Sequence, residues 1–156
     1  MNILFERINE GHFEALIALF KEFALFEKQS DKMINSVEKM HREKDFIQGY
    51  VAKDQDSHIV GYVTFFFAYY TWSGKALYMD DLYVRNENRG QGIGTQLIHK
   101  AIEYARSHKC YKLRWQVSDW NEPAIAFYKS LGASIDHVEL NCDLLMNDYK
   151  KNDFIA

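Results

Sequence analysis

One proline, two cysteines and no long apolar run mark this chain by what it does without. Cys110 and Cys142 form neither a metal-ligand spacing nor a disulfide framework, so a reduced, cytoplasmic setting is expected. The six histidines, at 12, 41, 58, 99, 108 and 137, include no H-E-x-x-H and no ligand spacing, so no metal is expected. No stretch approaches the ~20 apolar residues of a membrane span. The segment Met1 to Arg7 lacks the charge and apolar pattern of a secretory signal. An excess of positive charge is also missing. The formal net charge is −3, which argues against nucleic acid or an anionic membrane as partner. There is no repeat, low-complexity tract or linker, so a single domain over 1–156 is expected.

What is present is a globular composition, 47% hydrophobic, with aromatics at 15% that favour a sheet covered on both faces. Ile3 to Ile8 reads as a first strand. Phe13, Leu16, Ile17, Leu19, Phe20, Phe23 and Ala24 recur at helical spacing over Gly11 to Glu27. Ser30 or Asp31 can cap a second helix that carries Met33, Val37 and Met40. Phe46 to Lys53, Ile59 to Tyr70 and Ala76 to Val84 are strands joined by polar turns. The run Tyr62 to Tyr70 is apolar on both pleat faces, the pattern of an interior strand. A helix over Gln96 to Ser107, a strand over Leu113 to Val117 and a short helix over Asn121 to Ser130 follow. Pro123 lies in that helix's first turn and Gly132 at its end. Strands near Ser134–Leu140 and Asp143–Tyr149 close the order β-α-α-β-β-β-α-β-α-β-β, a mixed α/β fold of about seven strands with helices on both faces.

The densest signal is Arg89-Gly90-Gln91-Gly92-Ile93-Gly94-Thr95, at the junction of a strand and a helix. Glycine costs regular structure roughly 0.5–1 kcal/mol relative to alanine, so three on alternate positions need a reason. A tight turn that packs helix on sheet is one. The other is an anion site, because the first turn of a helix presents free N–H groups and the positive end of its dipole. Two phosphate loops are excluded. No lysine follows the last glycine as G-x-x-x-x-G-K-S/T requires, and G-x-G-x-G is not G-x-G-x-x-G.

The element order and this loop together resemble the GCN5-related N-acetyltransferase (GNAT) superfamily. Arg89, Gly92 and Gly94 fill its pyrophosphate pattern Q/R-x-x-G-x-G/A. Downstream, Asn121, Ala124, Tyr128 and Gly132 fill its second coenzyme element, N-x-x-A-x-x-x-Y-x-x-x-G. Tyr70 to Val84, Trp120-Asn121-Glu122-Pro123 and Phe23 to Glu27 are similar to the diamine acetyltransferases, the spermidine/spermine and thialysine enzymes. Three departures stand out. Asp80-Asp81 replaces the usual Glu-Asp, Tyr70 stands where the polyamine enzymes carry an acid, and the C-terminal Gly-Trp pair has no counterpart. The second departure leans toward the thialysine-like branch.

The resemblance implies acetyl-coenzyme A as co-substrate, held by main-chain groups of Leu82, Tyr83 and Val84. Residues Arg89, Gly90, Gln91, Gly92, Ile93, Gly94 and Thr95 would hold its pyrophosphate, and Asn121, Glu122, Pro123, Ala124 and Tyr128 its pantetheine end. It also implies as acceptor the primary amine of a small molecule (thialysine, a polyamine or a related diamine or amino acid) lined by Phe26, Glu27, Trp72, Asp80 and Asp81, and a homodimer. A free alkyl ammonium has a pKa of about 10.4, so acetyl transfer needs a group to take its proton. Asp80 is the candidate, directly or through water, and Tyr128 is the candidate acid for the departing thiolate. Two other classes stay open: an idle acyl-coenzyme A sensor, and a protein N-terminal acetyltransferase.

Overall fold

The computed structural model describes residues 2–147. The backbone groups into two compact units, Met1–Gln116 and Val117–Ala156.

The first unit is one five-stranded sheet in the order β1-β2-β3-β4-β5. Its strands are β1 (Leu4–Arg7), β2 (Gln48–Lys53), β3 (Ile59–Tyr70), β4 (Gly74–Val84) and β5 (Leu113–Arg114). The first four meander antiparallel, and β5 joins parallel to β4 after a helical crossover. The helices of this unit are α1 (Phe13–Phe26), α2 (Val37–Arg42) and α3 (Ile93–Ser107).

Strand alternation sets which helix each side chain meets. Gly61 faces α3: a Cβ there would stand 3.3 Å from a Leu97 methyl and only 2.9 Å from the Tyr83 carbonyl of β4, so a side chain would force the paired backbone to shift. Tyr62 faces the opposite way, into the cluster of Phe13, Leu16, Ile17, Leu19, Met40, Val51, Ile59 and Tyr83. The α1 stripe that fills this cluster is the one its 3.6-residue periodicity predicts. On the other face α3 buries Ile93, Leu97, Ile98, Ala101 and Ala105. Helices therefore cover both faces, as expected.

In the second unit α4 spans Glu122–Ser130. Asn121 caps it, its side-chain oxygen accepting from the Ala124 N–H at 3.3 Å. Gly132, at φ +88°, turns the chain away afterwards.

Two expectations are corrected. Among the described residues the sheet has five strands, not about seven. The segment 134–140 is not a strand, and neither is 143–147; the rest of the expected last strand lies outside the described residues. Val138 and Leu140 are more than four-fifths exposed. Alternation of apolar and polar residues predicts a face, but a strand also needs a neighbour's backbone to complete its ladder. The fifth strand also stops early, at Arg114 instead of Val117.

The second correction concerns β3. Its first half is buried on both sides, but Phe66, Phe67 and Tyr69 are 45%, 39% and 78% exposed. The cause is strand length. The β2 ladder stops at Gln48, opposite Phe65, so beyond that point β3 has no β2 neighbour and pairs only with β4. No helix among the described residues is long and apolar enough to cross a membrane.

Candidate active site

The β3–β4 pairing slips once, and the slip creates the site. Thr64 pairs with Asp81, but the next residue, Phe65, pairs with Met79. Asp80 is thus the extra residue of a β-bulge, a device that re-aims side chains and interrupts the ladder. In a regular strand Asp80 and Asp81 would point to opposite faces. Here Asp81 lies on the α1 side, where its carboxylate accepts a hydrogen bond from the Tyr62 hydroxyl at 3.2 Å. Its backbone N–H donates to the Thr64 hydroxyl at 3.3 Å, which fixes the strand at the bulge.

This environment alters both carboxyls. Burial pushes Asp80 up from the ordinary carboxylate range, although water still reaches it. Asp81 is pushed up to about 7, first by burial, then by the negative charge of Asp80 beside it. Glu27, the residue that caps the C-terminus of α1, adds to that rise, and the Tyr62 hydrogen bond opposes it. Tyr62 is itself held well above the ordinary phenol value by burial and by Asp81, so it stays a donor. The result is a carboxyl near half-ionised at neutral pH, in a nest of like charge. Such a group can accept a proton and attracts a cation.

β4 has a β5 partner only at Leu77 and Tyr78. From Met79 to Val84, therefore, its edge away from β3 has no strand paired with it among the described residues. This stretch includes Leu82, Tyr83 and Val84, whose main-chain groups the family resemblance implies for the coenzyme.

The glycine loop follows. Gly90 and Gly92 sit at φ +75° and +76°, and a Cβ at either would meet nothing within 4 Å. Both are there for conformation, and both leave open space over the backbone. Gly94 has no such demand; its missing Cβ only allows ordinary contact with a Val84 methyl at 3.7 Å. Gly92 caps α3 in the left-handed conformation with no side-chain hydrogen bond, and no acidic residue stands in the first turn. A helix start without a side-chain cap or nearby carboxylate suits an anion.

The other expected residues are placed as follows. Arg89 is anchored at the base of the loop. Its Nε donates to the Val84 carbonyl at 2.9 Å, and its guanidinium lies 4.7 Å from the Phe26 ring centroid and 5.6 Å from that of Tyr83. Phe26 and Glu27 thus stand at the end of α1 on the Asp81 side. Trp72 does not join them. It is fully exposed in the β3–β4 turn, about 20 Å from Asp81 along the strand at about 3.3 Å per residue. In the second unit Asn121 carries out its capping bond, Glu122, Pro123 and Ala124 form the first turn of α4, and Tyr128 is a buried residue of its second turn. Tyr62 and Thr64 were missed. Nothing local in the sequence distinguishes Tyr62 from nine other tyrosines; only the register across to Asp81 does.

One group departs from the expectation of no metal-ligand cluster. Asp54, Asp56 and His58 bring ligand atoms within 4.8 Å of one another in the β2–β3 turn. One oxygen of Asp54 already accepts the N–H groups of Asp56 and His58, at 2.9 Å each, which accounts for the cluster as an Asx-type turn.

Comparison with known proteins shows the family. The model of the Acetyltransferase (GNAT) family matches residues 13–133. The thialysine N-epsilon-acetyltransferase of Sus scrofa is 36% identical over 143 residues, covering 85% of this chain and 84% of that protein. The Bos taurus enzyme of the same name is 37% identical over 142 residues, covering 84% of each. The crystal structure of an aminoglycoside acetyltransferase from an uncultured soil metagenomic sample superposes with a TM-score of 0.77 at 20% identity, covering 93% of this chain and all of that one.

Proposed function

The chain belongs to the acetyltransferase (GNAT) family and is an N-acetyltransferase; from that premise we propose that it moves the acetyl group of acetyl-coenzyme A to the primary amine of a small molecule, thialysine or a related diamine or amino acid. The observation that carries this substrate class is the carboxylate nest of Asp81, Asp80 and Glu27 around a group poised near pH 7. An aliphatic ammonium is held there by charge and can lose its proton there.

The residues present fit the coenzyme. The bare backbone of Gly90 and Gly92 and the uncapped amides of Ile93, Gly94 and Thr95 would take the pyrophosphate, with Gln91 exposed between them. The free edge of β4 at Leu82, Tyr83 and Val84 would supply donors to the pantetheine arm and to the thioester oxygen, where one donor is typically worth ~3–4 kcal/mol. Asn121, with the first turn of α4, would contact the pantetheine end. The coenzyme supplies an activated acetyl group. The amine nitrogen, having given one proton to the Asp80–Asp81 pair, would form the new N–C bond as the C–S bond breaks; its second proton would leave to solvent, and Tyr128 would give its own proton to the sulfur. Tyr128 then recovers a proton from solvent. Phe26 would line the amine pocket, which leaves Trp72 outside it.

We take residues 1–156 as one acetyltransferase domain; the family match runs across residue 116 and supports this. A cytoplasmic protein with free Cys110 and Cys142, acting as a homodimer without metal, nucleic acid or membrane partner, completes the proposal. The uncovered aromatic half of β3 supports the dimer.

The deciding assay follows thiol release from acetyl-coenzyme A over thialysine, lysine, spermidine and short peptides. Turnover with a small diamine or thialysine is expected. Coenzyme binding without turnover would refute catalysis in favour of a sensor, and turnover of peptide N-termini alone would refute the small-molecule substrate.

A further inference from the structure

Resting on the function proposed above, we infer that Tyr62 is a positioning residue whose hydroxyl holds and orients the Asp81 carboxylate, making Asp81, not Asp80, the group that takes the proton from the substrate ammonium. Tyr62 has no exposed surface. Its ring is fixed edge-on to Phe20 at 5.0 Å and against Tyr83 at 6.1 Å. A hydroxyl buried this deeply is costly unless bonded, and hydrophobic packing alone would be served by phenylalanine. The partner it finds is Asp81 Oδ2 at 3.2 Å. Asp80 has no corresponding bond from Tyr62, and it lies on the unpaired position of the bulge.

The charge balance around Asp81 gives the hydroxyl a second effect. Asp80 from β4 and Glu27 from the end of α1 face Asp81 and disfavour its ionised form; Tyr62 from β3 favours it. The phenol proton cannot leave, since burial and Asp81 hold it in place. Tyr62 therefore only donates, and a donor stabilises the carboxylate over the acid. It keeps Asp81 ionised enough at neutral pH to act as a base.

Tyr62→Phe keeps the ring packing and removes only the donor. The acidic limb of kcat/KM against pH should move up by about one pH unit, the equivalent of one hydrogen bond to a charged group. Activity at pH 7 should fall severalfold and recover by about pH 9. Asp81→Asn should lose at least 100-fold at every pH. Asp80→Asn should move the limb down, because a like charge beside Asp81 is gone. An unmoved limb in Tyr62→Phe, or a wild-type limb in Asp81→Asn, overturns the inference.

A wild-type protein that turns over no amine would instead refute the acetyl-transfer function. The Tyr62 assignment is then read separately, by carbon-13 carboxyl titration of Asp81 in wild type and Tyr62→Phe. An upward shift on losing the hydroxyl upholds the hydrogen bond's effect, and superimposable titrations overturn it. A melting temperature for Tyr62→Phe within a few degrees of wild type shows that the ring packing survives.

Discussion

Asp81→Asn should make the protein more stable at pH 8 while removing its activity. The carboxyl has an ordinary value of 3.8 and sits at about 7 in the fold. A value raised by folding means that the folded state binds more protons than the unfolded state between about pH 4 and pH 7. Stability is then fully present below pH 3.8 and falls as pH rises through the folded value, after which it is constant. The gap is about three pH units, and at about 1.36 kcal/mol each this sets a ceiling of about 4 kcal/mol. Water reaching a partly exposed site cuts the figure, and about 2 kcal/mol is a reasonable working value.

Asparagine has the same shape, carries no charge, and still accepts the Tyr62 hydroxyl. For a chain of this size 1 kcal/mol moves the melting temperature by about 2–4 °C. The variant should therefore melt about 4–8 °C above wild type at pH 8, with the gap closing toward pH 4. Thermal unfolding followed by circular dichroism at pH 4, 6 and 8 measures this directly. A variant that melts at or below wild type at pH 8, or a gap that ignores pH, would refute the claim that burial and like charge strain Asp81. The expected outcome is the trade-off in which a functional group is kept at a cost to the fold.

Two further outcomes follow from the same geometry. Gly92→Ala places a side chain at φ +76° with no steric obstacle nearby. It should cost about 1–2 kcal/mol of stability through backbone strain alone and raise the KM for acetyl-coenzyme A, measured by urea unfolding and by steady-state kinetics. Tyr128→Phe should lower kcat tenfold or more with little change in the KM for acetyl-coenzyme A; an unchanged kcat removes Tyr128 from acid catalysis.

Much of this site was legible in the chain itself. Gly90 and Gly92 announced a special backbone because no other residue takes φ near +75° cheaply, and the structure bears that out. The α1 and α3 stripes and the bounds of β3 followed from periodicity, a local property. Asn121 and Pro123 marked the start of α4, again through local hydrogen bonding and a fixed φ. The end of the chain was over-read, because Ser134 to Leu140 alternates like a strand yet lies beside no partner among the described residues. Trp72 was grouped with the pocket by resemblance, whereas the length of the β3–β4 hairpin carries it away within one chain.

By itself the sequence determined the main helices and strands up to α4, the glycine loop and the pair of adjacent acids, since each depends on residues close along the chain. Only the tertiary structure decided which acid is poised. The register that pairs Thr64 with Asp81 puts Asp81 on the Tyr62 face, and the slip that pairs Phe65 with Met79 leaves Asp80 unmatched. Register is a relation between strands nineteen residues apart at this point. Burial, like charge and one buried hydroxyl then set the proton affinity of Asp81, and these exist only once α1, β3 and β4 are packed together.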